Sequence, residues 1–207
     1  MIDSFEELSK DIIFNQNSVQ YFVLLVFNNS QKREKAILIL KRELTGSFSF
    51  HSINVEREKK DYIPFGLYHR LSDIKKESKK KKPCVFIYGL EYNFSENMKK
   101  FNSHRELFKF DLPIIFFLPI EFEKKMMDIA PDLFGLFGNN RHVVDNLDTE
   151  LSNDEIVRIL KEFEEKYQMN SGDFYKKWVN GNIEDSFEMQ DWMMIYQLSE
   201  IMQEHED

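Results

Sequence analysis

The residues that could do chemistry lie where predicted buried strands end. A loop at 28–34 follows the apolar run 21–27 and contains Lys32 and Arg33. Basic side chains there could hold phosphate groups, because ligands of parallel sheets bind at the carboxyl ends of the strands. A phosphate-binding loop also needs the glycines of the pattern G-x-x-x-x-G-K-[ST], which let backbone N–H groups surround the phosphates. The loop 28–34 contains no glycine, so the sequence predicts that tight phosphate binding is lost.

Two other charged residues, Glu91 and Arg105, are candidates for the same site. Glu91 follows the strongest predicted strand, 84–90, where a carboxylate could orient metal and water or could simply belong to a turn. Arg105 lies in a predicted helix and could contact phosphate or pair with an acidic neighbour. The five histidines have no metal-ligand spacing with each other or with Cys84. The sequence therefore predicts no catalytic set, no metal site and no cofactor.

Strand-like and helix-like segments alternate through the first 147 residues. The strands are continuous apolar runs, which is typical of a sheet that helices cover on both faces, and the alternation favours parallel strands. We therefore predict an α/β fold with a mainly parallel sheet of about five strands and helices on both faces. Predicted strands cover 21–27, 48–55, 84–90, 112–118 and 142–144, and predicted helices cover 4–14, 32–44, 65–78, 95–108 and 120–129.

The chain after residue 147 contains only helical patterns and carries a different charge. Residues 148–207 hold 16 acidic and 5 basic side chains, a net charge of −11, whereas the remaining residues hold 20 acidic and 23 basic side chains, a net charge of +3. This shift predicts two domains, an α/β domain at 1–147 and an acidic all-α appendage at 148–207. Nucleic-acid binding by the appendage is not expected, because phosphate contacts need lysine and arginine.

The last predicted helix of the appendage is apolar almost all the way round. Helix caps at Ser152, at Ser171 and at Asp185 or Ser186 predict three helices in the appendage. A helix that is apolar on several sides must be covered on several sides. A protein partner, a second copy or the α/β domain could provide that cover, and the sequence leaves these alternatives open.

We hypothesise that a protein partner or a second copy binds within residues 170–207. Aromatic clusters commonly dominate the energy of protein interfaces. The predicted partner-binding side chains are Phe174, Trp178, Phe187, Trp192, Ile195 and Tyr196.

The run Lys75–Lys82 contains six lysines in eight residues. It could bind nucleic acid or phosphate, or it could balance the negative end of a helix and keep a turn in solvent. No aromatic residue that could stack on a base lies within the run. The sequence leaves its role open.

Three features of the sequence predict a cytoplasmic protein that does not associate with membranes. No apolar run reaches the ~18 residues of a membrane helix. The N-terminus lacks a basic leader followed by an apolar stretch. The single cysteine, Cys84, fits a reducing compartment.

Four segments in order resemble motifs of the STAND-type P-loop ATPases, the prokaryotic relatives of NACHT and NB-ARC proteins. Gly89–Glu91 matches the "GLE" that follows their Walker B strand, and Phe101–Leu107 resembles "LN-x-x-REE". Leu112–Pro119 resembles "lPlvfWLp", and Ala130–Phe134 resembles "APD-[FL]-W" with phenylalanine in place of tryptophan. The resemblance covers roughly residues 4–147 and implies a P-loop-like sheet.

The family's phosphate loop would fall on 28–34, where its glycines and its Gly-Lys-Ser/Thr are missing. The resemblance therefore implies a degenerate body, to which catalysis and tight ATP binding do not carry over. A second resemblance, of residues 171–196 to modules at the ends of antitoxin-like proteins, implies association through the tail. Together they predict an adaptor or regulator in a prokaryotic defence or toxin-antitoxin-like system. The alternative is an ATPase with an atypical phosphate site that uses Lys32, Arg33, Glu91 and Arg105.

Overall fold

Five parallel strands form a single sheet in the first part of the chain. The computed structural model describes residues 4–28, 30–58, 62–78, 81–144, 153–183 and 187–204. The strands are β1 (Phe22–Phe27), β2 (Phe48–Asn54), β3 (Lys82–Tyr88), β4 (Ile114–Pro119) and β5 (Arg141–Val143). They are arranged in the order β2-β3-β4-β1-β5, and every pairing is parallel.

The interior strands β1 and β4 are buried along their whole length. They pair in register, so that Phe22 lies beside Ile114 and Phe27 beside Pro119. Successive side chains of a strand point to opposite faces, and both faces need apolar cover when no position is exposed. This explains why the two strands are continuous apolar runs and do not alternate with polar residues.

Among the described residues of the first unit, six α-helices accompany the sheet. They are α1 (Phe5–Phe14), α2 (Ser30–Leu44), α3 (Leu67–Glu77), α4 (Phe94–Ser103), α5 (Ile120–Ile129) and α6 (Pro131–Phe137). Side chains of α3 to α6 share one core with Leu24 of β1 and Phe116 of β4. The helices α1 and α2 pack against each other, and α2 contacts β1; among the described residues, none of their side chains belongs to that core. The predicted α/β class with helices on both faces is confirmed.

Several predicted boundaries were wrong. Helix α2 begins at Ser30, so residues 30–34 are helical and do not form a loop. Glutamine, lysine, arginine and glutamate are good helix formers, and these residues extend the helix back towards β1. The predicted helix at 95–108 ends at Ser103 and is followed by a separate 3-10 turn at Arg105–Phe108.

The chain divides into two compact units, Met1–Thr149 and Glu150–Asp207. The predicted domain boundary after residue 147 lies among residues 145–152, outside the described residues. No helix within the described ranges is long and apolar enough to cross a membrane.

The described part of the second unit contains three helices, α7 (Asn153–Tyr167), α8 (Ser171–Val179) and α9 (Phe187–Glu204). Asn170, and not Ser171, caps α8, because the Asn170 side chain accepts a hydrogen bond from the N–H of Asp173 at 2.8 Å. The predicted caps Ser152, Asp185 and Ser186 lie outside the described residues.

Candidate functional site

The carboxyl ends of β3, β4 and β1 lie side by side and form the candidate site. From β1 the chain continues to β2, the strand at one edge of the sheet. From β4 it continues to β5, the strand at the opposite edge. Neighbouring strands whose connections run in opposite directions open a crevice at their carboxyl ends, where ligands of α/β proteins bind. The last residues of the three strands are Tyr88, Pro119 and Phe27.

The connection at the end of β1 is only two residues long. The strand ends at Phe27 and α2 begins at Ser30, so Asn28 and Asn29 alone join them; Asn29 lies outside the described residues. A phosphate loop needs several residues between strand and helix so that its N–H groups can curve around the phosphates. This connection is too short to do so.

Arg33, one of the sequence-predicted site residues, lies in the crevice. Its guanidinium carbon is 5.0 Å from the ring centre of Tyr88 and 5.7 Å from that of Phe27. Its Nε donates to Glu34 Oε1 at 2.8 Å. The side chain is only 16% exposed, so the cation is held by two aromatic faces and a carboxylate of the chain itself. Lys32 lies one residue earlier in α2 and is half-buried.

Gly89 lets the chain turn directly after β3. Its φ is +73°, a conformation that favours glycine. A Cβ at this position would lie 2.9 Å from the backbone nitrogen of Glu56 and still closer to Asn54 Oδ1. The same Asn54 oxygen accepts a hydrogen bond from the N–H of Glu56 at 3.1 Å. Gly89 therefore allows the turns after β2 and β3 to touch.

Glu91 is half-buried in this turn, and its Oε2 is a buried atom with no hydrogen-bond partner in the described part of the chain. The preceding residue, Leu90, is buried in the core. Glu91 therefore follows β3, as the sequence predicted, and lies at the carboxyl edge of the sheet.

Arg105 is not brought together with Arg33. It lies between the end of α4 and the start of β4, at the amino edge of the sheet. Its Nη1 donates to the backbone oxygen of Asn102 at 3.0 Å and lies 3.3 Å from Asp132 Oδ2. Of the two readings of Arg105, pairing with an acidic neighbour is the one that this geometry fits.

The sequence did not predict that three polar side chains, Asp11 of α1, Tyr21 and His142, lie near one another. The Tyr21 hydroxyl donates to Asp11 Oδ2, and the His142 ring in β5 is 9% exposed, with its Nε2 buried and unpaired within the described ranges. Burial lowers the pKa of His142, Asp11 opposes that shift, and Arg141 adds to it. Only the pairing of β5 with β1 brings these residues together, so no local pattern signals the group.

Cys84 lies in the middle of β3 and is fully buried. Burial raises the pKa of its thiol. A thiol without access to solvent and with a raised pKa is not a nucleophile, in agreement with the structural role that the apolar run predicts.

In the second unit, Trp192 of α9 lies at the centre of an aromatic cluster. Its ring stacks on Phe174 with centroids 4.0 Å apart and an interplanar angle of 6°, and on Phe163 at 5.6 Å and 7°. Its Nε1 donates to the hydroxyl of Ser171 at 2.9 Å, and the N–H of Ser171 donates to Glu164 Oε1 at 2.7 Å. Helices α7 and α8 thus cover the Trp192 side of α9.

The predicted partner-binding residues differ in exposure. Phe174, Trp192 and Ile195 are buried, whereas Trp178 and Tyr196 are half-buried. The side chain of Phe187 lies outside the described residues. Assignment of these six residues to a partner contact stays a prediction; among the five whose side chains are described, the two half-buried rings are the ones that a partner can reach without unfolding the unit.

The chain matches no protein-family model and no curated protein. Within the described residues, no group of three or more histidine, cysteine, aspartate or glutamate side chains is placed to hold a metal ion.

Proposed function

We propose that this chain is a non-catalytic adaptor or regulatory protein that binds a protein partner, or a second copy of itself, through the helices within residues 170–207. The observation that carries the proposal is the two-residue connection between Phe27 and Ser30. It leaves no loop in which backbone N–H groups could surround a phosphate at the place where an α/β protein binds its ligand.

The contacts of Arg33 support the same proposal. The cation that could have held a phosphate stacks on Phe27 and Tyr88 and binds Glu34. A phosphate would have to compete with these contacts, and Arg105, at the opposite edge of the sheet, cannot assist. In this proposal, the side chains at the carboxyl edge stabilise the fold, and the acidic helices provide the surface that binds a partner.

The proposed ancestry is a degenerate STAND-type P-loop domain, and the proposed setting is a prokaryotic defence or toxin-antitoxin-like system. The ancestry is supported by the parallel five-stranded sheet and by the four ordered segments from Gly89–Glu91 to Ala130–Phe134. The setting is supported by the resemblance alone, and neighbouring genes would test it.

The experiment compares the full chain with a chain that ends at Thr149, the boundary of the first unit. Light scattering measures self-association, and affinity capture from the native host measures partner binding. We expect the full chain to associate and the truncated chain, checked for folding by circular dichroism, to lose that association. Equal association of the two chains would overturn the proposal.

The alternative is a nucleotide-binding ATPase, and one observation favours it. The unpaired oxygen of Glu91 and the guanidinium of Arg33 both lie at the carboxyl edge, where metal and phosphate would sit. A ligand present at a hundred times its dissociation constant stabilises a protein by about 2.7 kcal/mol. A rise in melting temperature with ATP and Mg²⁺ that Arg33→Ala removes would support this alternative, and no rise would exclude it.

A further inference from the structure

The amino edge of the sheet carries a cluster of lysines around a cleft. Lys75, Lys81 and Lys82 line this cleft of about 260 Å³, together with Ser78, Pro83, Asp111 and Leu112. Asp111 pairs with Lys75, so three cations face one carboxylate. The cleft is at the opposite edge from the candidate site, because Lys82 begins β3 and Leu112 precedes β4.

The lysines keep donors for a partner. Lys81 Nζ donates to the backbone oxygen of Thr45 at 2.9 Å, and Lys82 Nζ donates to Asn17 Oδ1 at 2.9 Å. An ammonium group has three N–H donors, and each of these contacts uses one. Both acceptors are neutral oxygen atoms, so these contacts hold the ammonium groups at the edge without cancelling their charge.

Two exposed apolar side chains lie on the segment that Lys82 contacts. Phe14, the last residue of α1, is 86% exposed, and Val19 is 62% exposed. Asn17, the partner of Lys82, lies between them in the chain. We use the name amino-edge surface for Phe14, Val19, Lys75, Lys81 and Lys82, which are linked through the contact of Lys82 with Asn17 and combine basic and apolar side chains.

The chain contains a segment of complementary character. Residues 184–207 hold eight acidic residues and no lysine or arginine. In α9, Tyr196, Glu200 and Glu204 are spaced by four residues, so these positions fall on one face of the helix; the Glu204 side chain lies outside the described residues. Tyr196 is half-buried and Glu200 is exposed. We call these three residues the acidic stripe.

We propose that the amino-edge surface of one copy binds the acidic stripe of a second copy, and that two copies do so reciprocally in a symmetric dimer. The lysines face the carboxylate of Glu200, and Tyr196 packs on Phe14 and Val19. Reciprocal contacts close the assembly at two copies, whereas a single head-to-tail contact would continue into a filament. This inference rests on the proposed self-association through residues 170–207 and names the surface that the tail meets.

The test reverses two charges on each side in the full-length chain. Lys81→Glu/Lys82→Glu places carboxylates against the stripe, and Glu200→Lys/Glu204→Lys places ammonium groups against the amino-edge surface. Sedimentation velocity at several concentrations measures the dimer. Each double variant alone should weaken the dimer about tenfold or more, because like charges at an interface are strongly unfavourable, and an equal mixture of the two variants should restore it.

A matched control is Lys99→Glu/Lys124→Glu, which makes the same charge change at two exposed lysines of α4 and α5. The control should dimerise like the unmodified chain, and all variants should keep the same melting temperature. High salt should also weaken the dimer, since the screening length falls to about 3 Å at 1 M.

Three results would overturn the inference. They are a monomer at every concentration, a dimer that either double variant leaves intact, and a mixture that fails to restore association. Binding to vesicles of anionic lipid that Lys81→Glu/Lys82→Glu abolishes, without any change in dimerisation, would assign the surface to a membrane instead. If the chain captures a host protein through residues 150–207 but does not dimerise, the proposed function stands and this inference alone fails.

Discussion

The guanidinium of Arg33, in the first turns of α2, lies 5.0 Å from the ring centre of Tyr88, the last residue of β3. The contact spans the carboxyl end of β4, because β4 separates β1 from β3 in the sheet. Arg33 therefore connects α2, the helix that follows β1, to β3, which lies two positions from β1 in the sheet. This contact packs the start of α2 against the end of β3.

We predict that Arg33→Ala lowers the free energy of unfolding by about 1–2 kcal/mol, because a largely desolvated cation-π contact is lost. The matched control is Arg42→Ala in the same helix. Arg42 also pairs with the following glutamate, Glu43, but its side chain is 39% exposed, and an exposed pair contributes about 0–1 kcal/mol. Urea unfolding of both variants measures the difference, and equal effects would contradict the role of Tyr88.

We predict that Gly89→Ala destabilises the first unit by about 3 kcal/mol, because the positive φ costs 1–2 kcal/mol and a new Cβ meets Asn54 and Glu56. Gly135→Ala is the control, since it lies within α6 and no atom comes within 4 Å of its added Cβ. Alanine there should stabilise the helix by up to about 1 kcal/mol. Thermal unfolding should therefore move in opposite directions for the two variants.

We predict that Ser171→Ala destabilises the second unit by about 1–3 kcal/mol, because the buried Nε1–H of Trp192 loses its acceptor. Ser199→Ala is the control in the same unit. The Ser199 hydroxyl donates to the backbone oxygen of Tyr196, and its removal leaves no buried donor unpaired. Near-ultraviolet circular dichroism of the two tryptophans, Trp178 and Trp192, follows unfolding of the second unit, and equal stability of the two variants would contradict the prediction.

We predict that the protein loses stability as the pH falls below about 6.5, the ordinary pKa of histidine. Burial lowers the pKa of His142 and of His51 in the folded state. The unfolded chain therefore binds more protons than the folded chain in this range, and acid favours unfolding. The loss is at most about 1.4 kcal/mol per pH unit for each histidine.

His142→Gln should reduce this dependence on pH, measured by urea unfolding between about pH 7.5 and 5.5. A slope that His142→Gln does not alter would show that the buried ring is not responsible.

The class of the first unit could be predicted because its signals are local. A continuous apolar run such as that of β1 or β4 is required when helices cover both faces of a strand. The start of α2 was harder to predict, since Gln31 to Glu34 are as suitable for a helix as for a polar loop. The alternation of strand-like and helix-like segments predicted that a strand, a loop and a helix follow one another at β1 and α2. Only the structure showed that the connection between them is two residues long.

The sequence by itself determined the order of strands and helices, the charge difference between the two units and the absence of the phosphate-loop glycines, because each depends on neighbouring residues. Only the tertiary structure decided that Arg33 reaches Tyr88, that Arg105 lies at the other edge of the sheet, and that Trp192 stacks on Phe174. These contacts join residues far apart in the chain, and strand order and helix packing set their distances. No local pattern contains that information.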